Sequence, residues 1–586
     1  MLKILKYMKG RDWFFVLCSL IFIVCGVWLD LKLPDYMRQI TTLVQTPGSE
    51  MSEILSSGGA MLLCALGSLS ATCIVGFFVA RIAAGLSMRL REAVYNKTID
   101  FSMEEIGRFS TASLITRTTN NIQQIQMFVA MGLQATFKAP ILAVWAILKI
   151  SGTSWQWTAV TGGAVAILTV MLGTVIFLVL PKFKRMQTLT DNVNRVTREN
   201  LTGIRVVRAY NAESYQEEKF EKANEELTGT NLFTSRLMSI LFPGMTLIMS
   251  GLTVAIYWVG VYMINASAVT ERLAIFSDMI VFSSYAMQVI MAFMMLVMTF
   301  VILPRALVSA KRINEVLDIE PKICDGKVTG SELFEQGEIE FRHVSFRYPD
   351  AEENILSDIS FTAHRGETVA FIGSTGSGKS TLVNLIPRFY DVTEGEILID
   401  GINVKEYTQE ALHNKLGYVP QRAVLFTGSV CSNVTYGDNG RCEAPELLWK
   451  SLEIAQADEF IHRLEESADA LVAQGGTNFS GGQKQRLSIA RAIYRRPEIY
   501  IFDDSFSALD YKTDRTLRNA LKQETGGATT LIVAQRIGTI MDADQIIVLD
   551  EGKIVGQGTH RELLAACPAY REIAQSQLSK EEMENA

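Results

Sequence analysis

Eight consecutive residues, Gly373-Ser374-Thr375-Gly376-Ser377-Gly378-Lys379-Ser380, carry the spacing GxxxxGKS. Glycines so placed let the backbone curl until several N–H groups face one concave space, and the N-terminus of a following helix adds its positive end. That cradle suits phosphate oxygens, with Lys379 placed to reach the outer phosphates and the Ser380 hydroxyl to ligate Mg²⁺. The flanks agree: Glu367–Ile372 reads as a short apolar strand and Lys379–Ile386 as the opening of a helix. The apolar run Ile499-Tyr500-Ile501-Phe502 reads as a second buried strand, ending in Asp503. A carboxylate at such a strand end can hold the water shell of Mg²⁺, although an aspartate there can also be a plain capping residue.

These groups must be positioned by a chain of 586 residues. That is too long for a single core, which rarely grows past roughly 250–300 residues. The composition is 48% hydrophobic, and the apolar residues concentrate in the first half. Six apolar runs there approach the roughly 20 residues needed to cross a bilayer: Trp13–Leu33, Gly58–Ile82, Leu133–Gly152, Trp157–Leu180, Leu237–Ile264 and Ile275–Leu303. Lipid leaves no water to satisfy backbone groups, so each run is expected to be helical. The N-terminus carries Lys3, Lys6 and Lys9 without a small-residue cleavage site, so the first run reads as a membrane helix and not as a removable signal.

A polar arm after the second run carries Arg89, Arg91, Lys97, Arg108 and Arg117. Another after the fourth carries Lys182, Lys184, Arg185, Arg195, Arg198, Arg205 and Arg208. The remaining connections are poor in basic residues, which places both arms, the N-terminus and everything after Arg305 in the cytoplasm. Helical periodicity continues through the arms, with Ser110–Thr119 and Tyr210–Phe220 expected either to turn and touch another domain or to be ordinary solvated helix. The net charge of −7 argues against nucleic acid as a partner. Cys324, Cys431, Cys442 and Cys567 show no CxxC or Cys/His spacing and read as reduced thiols, neither disulfides nor zinc ligands.

With these motifs in order, the sequence resembles the ATP-binding cassette (ABC) transporters. Phe479-Ser480-Gly481-Gly482-Gln483 is similar to the LSGGQ element that defines the family. Tyr348 matches the aromatic that stacks on adenine, Gln421 the glutamine that senses Mg²⁺ and contacts the membrane domain, and Asp510 the end of the D-loop Ser507-Ala508-Leu509-Asp510. The whole chain resembles a half-transporter of the type IV exporters. The expected fold is an all-α membrane domain of six helices with long cytoplasmic extensions (1–319) and a linker (320–336), then an α/β P-loop cassette (337–575) and a charged tail (576–586). The resemblance implies ATP and Mg²⁺ as cofactors, with ATP contacts from Tyr348, the phosphate loop, Thr381 and Asp510, and Mg²⁺ held by Ser380, Gln421 and Asp503. It also implies a bacterial plasma-membrane location and head-to-tail cassette dimers, each ATP lying between one chain's phosphate loop and the other's LSGGQ-like element. The six crossings set aside soluble ABC proteins, and importers generally keep these two parts on separate chains.

Two positions depart from the family pattern. A glutamate normally follows the Mg²⁺ aspartate and polarises the attacking water; here it is Asp504. A histidine on a later strand end contacts the γ-phosphate; here Val533-Ala534-Gln535-Arg536 offers Gln535. Aspartate is one methylene shorter, about 1.5 Å of reach, and roughly 1 Å of misplacement can cost ~10²-fold in rate. The expectation is that this chain's phosphate loop binds ATP and hydrolyses it slowly, while its SGGQ element serves a non-identical partner that carries the glutamate and histidine. A slow homodimer and an ATP-gated sensor subunit are the alternatives. Gln474, where exporters often have a coupling glutamate, deepens the asymmetry.

The cargo is less legible. Met287, Met291, Met294 and Met298 recur at helical spacing in the sixth run, with Met295 beside them and Met245, Met249 and Met279 near. Thioethers suit a cavity for apolar or amphiphilic compounds, and equally suit gap filling between helices. Lys138 is expected to snorkel toward the cytoplasmic end of its helix, and Asp278 to meet a cationic compound or the headgroups.

Overall fold

The computed structural model describes residues 2–46, 48–151, 154–268, 271–329, 337–437, 445–524 and 526–578. They form two compact units: residues 1–97 with 112–318, and residues 98–111 with 319–586.

Among the described residues of the first unit, six helices are long and apolar enough to cross a membrane: Gly10–Gln45, Met51–Ile99, Thr111–Ser151, Trp155–Thr202, Glu213–Ala266 and Arg272–Leu317. The second and fifth contain 49 and 54 residues. At about 1.5 Å per residue they far exceed the roughly 30 Å of hydrocarbon, so the helices run on into water as the basic arms require.

Helix breaks fall at the starts of Ser110–Thr119 and Tyr210–Phe220, at Ser110 and at Tyr210–Ala212, and each arm is also broken a little earlier. The second helix ends at Ile99, and a short helix Met103–Arg108 follows. Ser102 and Glu105 form a capping box there: the Ser102 N–H donates to Glu105 Oε2 at 2.9 Å and the Glu104 N–H to Ser102 Oγ at 3.3 Å. Those reciprocal bonds satisfy amides that a helix start otherwise leaves orphaned. The fourth helix stops at Gly203, and a short helix Ile204–Ala209 ends before Asn211, whose φ is +50°. Two π-helical turns, Arg117–Asn121 and Phe128–Gly132, interrupt the third crossing.

Trp157, Phe282 and Tyr285 are buried in the membrane core, where the Trp157 indole N–H donates to the Ile256 carbonyl at 3.2 Å. Met245 and Met279 are buried in the same core, Met249 and Met294 pack against it, and Met291 is half exposed; the Met298 side chain lies outside the described residues. Lys138 does not snorkel to a helix end. It pairs with Asp30 of the first helix at 3.4 Å. Asp278 is likewise engaged, by Arg38 at 2.6 Å. Between these pairs, Asp35 accepts from Tyr285 Oη at 2.6 Å and pairs with Lys149 at 2.9 Å. Charges held in an apolar bundle need such partners, because removing one leaves the other uncompensated.

Among the described residues of the second unit there are three sheets, the smallest a pair of two-residue strands, Gly428–Ser429 and Leu471–Val472. The largest has the strand order Lys553–Gly558, Gln545–Asp550, Thr368–Gly373, Thr529–Val533, Ile499–Asp503 and Leu416–Val419, parallel except at the Lys553–Gly558 edge. Both faces of its centre are covered, as near-continuous apolar strands require. Ile499 and Ile501 point into one core, Tyr500 and Phe502 into the other. A four-stranded antiparallel sheet, containing Ile339–Phe346 between Leu356–Ala363 and Glu394–Ile399, packs in the core of Ile499 and Ile501.

The short helix Met103–Arg108 belongs to this unit, where Lys322 Nζ meets Glu104 at 2.5 Å and the Lys322 N–H donates to Glu105 at 3.3 Å. Part of the expected linker is also fastened down. The Gly326 and Val328 N–H groups donate to the Tyr407 and Glu406 carbonyls, each at 2.9 Å, and Arg388 donates to the Cys324 carbonyl at 3.0 Å. Residues 330–336 and most of the expected tail lie outside the described residues.

The Asp30–Lys138 pair gives a direct test. Lys138→Met should destabilise the detergent-solubilised chain by roughly 1–3 kcal/mol, between the values for surface and buried pairs. Lys138→Met with Asp30→Asn should recover most of that loss in the same thermal-unfolding measurement.

Candidate functional site

Four strand ends of the parallel sheet deliver the site, those of Thr368–Gly373, Ile499–Asp503, Thr529–Val533 and, leading to Gln421, Leu416–Val419. Gly373 closes its strand, residues 374–378 form the loop, and Lys379–Leu385 is the helix. Gly378 has φ +95°, and a Cβ there would lie 2.7 Å from Leu356 Cδ2, so both conformation and space demand glycine. Lys379 is buried. Its ammonium donates to the Gly373 and Ser374 carbonyls at 2.9 and 2.7 Å and to Ser377 Oγ at 3.2 Å. Burial pulls its pKa down, against the opposing pull of Asp504 and Asp503. It is thus a desolvated cation held chiefly by neutral acceptors, which suits an incoming phosphate.

Ser380 Oγ donates to Asp503 Oδ1 at 2.8 Å. A hydroxyl and a buried carboxylate converging from a helix start and a strand end are a fitting donor set for Mg²⁺, a hard cation that takes oxygen ligands and keeps several waters. Burial raises the Asp503 pKa; the Ser380 hydrogen bond opposes that rise and neighbouring Asp504 adds to it.

Asp504 stands at φ +47°, a left-handed conformation in which aspartate is tolerated better than most side chains. Its N–H donates to the Val533 carbonyl at 3.0 Å. Two amides converge on the same oxygen: Gln535 Nε2 donates to Asp504 Oδ2 at 2.7 Å and Gln421 Nε2 at 3.2 Å. Burial raises the Asp504 pKa, while the hydrogen bonds from Gln421 and Ser507 and the charges of Lys379 and Arg536 lower it.

A cavity of ≈ 910 Å³ opens over the phosphate loop, Gln421 and Gln535, while Ser377, Asp503 and Asp504 lie outside its lining. Tyr348, Gly373, Ser374, Thr375, Gly376, Gly378, Lys379, Ser380, Thr381, Gln421 and Gln535 line it. Tyr348 Oη lies 3.1 Å from Thr381 Oγ1, and its ring packs edge-on against Phe346 and Tyr390. Phe479, Ser480, Gly481, Gly482, Gln483 and Asp510 do not line this cavity. Ser480 caps the 15-residue helix Gly481–Arg495, with Gln483 reaching back to the Ser480 N–H at 2.9 Å, while Phe479 is buried beside Phe460. Asp510 Oδ1 accepts from the Thr513 N–H at 3.0 Å at the start of Tyr511–Glu524.

Sequence reasoning missed one wall of the cavity, formed by Glu572, Ser576 and Gln577 of the helix Pro568–Gln577. Nothing in local spacing links that helix to a loop two hundred residues earlier, and the tail was expected to begin at residue 576.

Burial lifts Asp503 above the ordinary aspartate range, so protons compete with Mg²⁺ for it at higher pH than for an exposed aspartate. As pH falls, protonation of Asp503 should begin above the ordinary aspartate range, and the gain in ATP affinity from Mg²⁺ over EDTA should shrink there. Isothermal titration across pH should show this shrinkage, and Asp503→Asn should abolish the Mg²⁺ gain at every pH. A gain that stays constant on acidification would contradict the assignment.

Comparison with known proteins agrees with this geometry. Residues 14–303 match the model of the ABC transporter transmembrane region and residues 356–507 that of the ABC transporter. An uncharacterized ABC transporter ATP-binding protein of Mycobacterium tuberculosis is 42% identical, covering 89% of this chain and 88% of its own length. The ATP-dependent lipid A-core flippase of Pseudomonas aeruginosa is 32% identical, covering 85% and 81%. A solved bacterial Atm1-family ABC exporter with ATP bound aligns with a TM-score of 0.81 at 25% identity, over 98% of this chain and 100% of that one. The chain belongs to the ABC transporter family: it is an ATP-hydrolysing half-transporter of the exporter type, crossing the inner membrane several times, with its ATPase domain in the cytoplasm.

Proposed function

We propose that this chain is the slow-site half of a heterodimeric exporter that moves amphiphilic compounds across the membrane. The observation that carries the reading is the environment of Asp504, whose Oδ2 already accepts from both Gln421 and Gln535. A general base must hold a lone pair within hydrogen-bond reach of the attacking water. Here the carboxylate is short by one methylene, and one of its two oxygens already accepts from two amide donors. Gln535 can donate a hydrogen bond to phosphate but carries no charge.

In this reading Tyr348 stacks on adenine. Gly373, Ser374, Thr375, Gly376 and Gly378, with Thr381, line the cavity and cradle the phosphates, with Ser377 completing the loop beneath them against Lys379. Lys379 moves from backbone carbonyls to phosphate oxygens, and Ser380, Asp503 and Gln421 would hold Mg²⁺. Bound Mg²⁺ supplies neutralisation of the phosphate charge. Phe479–Gln483 and Asp510 face a second, non-identical half-transporter and complete its site. That partner would carry the glutamate and histidine. An amphiphilic cargo is in keeping with the flippase named for lipid A-core among the relatives.

Two experiments test the reading. Purification from the native host should bring down a second half-transporter in equal amount; a stable homodimer that turns over ATP briskly would overturn it. Asp504→Glu together with Gln535→His should raise hydrolysis at this chain's site about 10²-fold, read as the turnover remaining after the partner's glutamate is changed to glutamine. No gain would contradict the proposal.

A further inference from the structure

We propose that Gln577, at the end of the last described helix, is a positioning residue that holds the Gln535 loop in its nucleotide-facing arrangement. The strand Thr529–Val533 passes through Gln535 and Arg536 into the short helix Ile537–Ile540. The first N–H groups of any helix lack partners within it. Arg536, in the capping position, supplies no side-chain bond. Gln577 supplies it from elsewhere in the chain: its Oε1 accepts from the Ile537 N–H at 2.8 Å. The same side-chain amide turns its Nε2 to donate to the Gln535 carbonyl at 2.8 Å.

One planar group thereby grips the backbone on both sides of Arg536. A single hydrogen bond would leave the loop free to swivel, whereas two from a rigid amide fix its orientation. Gln535, on the wall of the cavity, can then aim Nε2 at Asp504 Oδ2, 2.7 Å away. The clamp itself has firm support. Tyr570 and Ala574 of its helix are fully buried, and Tyr570 Oη lies 2.6 Å from His560 Nδ1 of the preceding helix. The helix Pro568–Gln577 is therefore joined mechanically to the side chain that would meet the γ-phosphate.

The inference rests on the cavity being the ATP site, and the experiment separates the two ideas. Radiolabelled ATP with Mg²⁺ is loaded onto the full-length transporter and its release is followed under an excess of unlabelled ATP. Failure of the native protein to retain label would overturn the site reading and the clamp with it. Given retention, Gln577→Ala should speed release about five- to tenfold, the worth of one or two net hydrogen bonds. In a Gln535→Ala background the same change should add nothing, because Gln577 acts through that side chain. Unchanged release, or an equal acceleration in both backgrounds, would overturn the clamp. Gln577→Glu keeps the acceptor for the Ile537 N–H, and with it the fold as judged by melting temperature, but loses the donor to the Gln535 carbonyl. Its release should also be faster than native, and release as slow as native would sink the proposal.

Discussion

In the central sheet Val533 pairs with Asp503 on one side and with Phe371 on the other, all three strands running parallel. That register places the phosphate loop, the Asp503-Asp504 pair and the approach to Gln535 at one edge. Parallel strands need long crossovers, so residues more than one hundred and fifty positions apart in sequence meet here only because the sheet is buried on both faces. A one-residue slip of Ile499–Asp503 would exchange Ile499 and Ile501 with Tyr500 and Phe502 between two filled cores. The packing that forbids the slip also holds two carboxylates beside a desolvated lysine. The catalytic edge is thus a consequence of strand register, with the local charges set against strong burial.

Much of this was legible in the residues. The phosphate loop declared itself because its glycines answer a backbone demand, seen directly at Gly378, where φ is +95° and no Cβ fits. The six crossings followed from length and apolarity, both being demands of lipid, and their extensions from helical periodicity continuing through the polar arms. Of the turns in the cytoplasmic arms, those at Ser110 and Tyr210–Ala212 fall in the expected segments, whereas the earlier breaks were missed although Ser102 and Glu105 have the spacing of a capping box and Gly203 marks a helix end. The partners of Lys138 and Asp278 were not legible, because pairing between helices depends on packing that no local spacing records. For the same reason Gln577 carried no signal: its two hydrogen bonds span some forty residues and join a helix to a loop.

The membrane bundle and the cassette obey one economy of charge. In the bundle, Asp30, Asp35 and Asp278 each meet a cation from another part of the chain. In the cassette, Lys379 is buried against carbonyls, and Asp504 is satisfied chiefly by neutral amides. The first arrangement compensates charge fully. The second leaves Lys379 ready for phosphate and sets two amide donors on one oxygen of Asp504. In the proposed reading binding and hydrolysis are separable, since the groups that would receive phosphate are all present while an aspartate stands where the family has the water-activating glutamate.

The most direct measurement is the identity of the nucleotide at this chain's phosphate loop while the transporter turns over Mg²⁺-ATP in a bilayer, read from a cryo-EM reconstruction of the vitrified steady state. The account predicts intact ATP over Lys379 and Ser380, with ADP accumulating only at the loop of the other half-transporter. ADP at both loops in equal measure would contradict it.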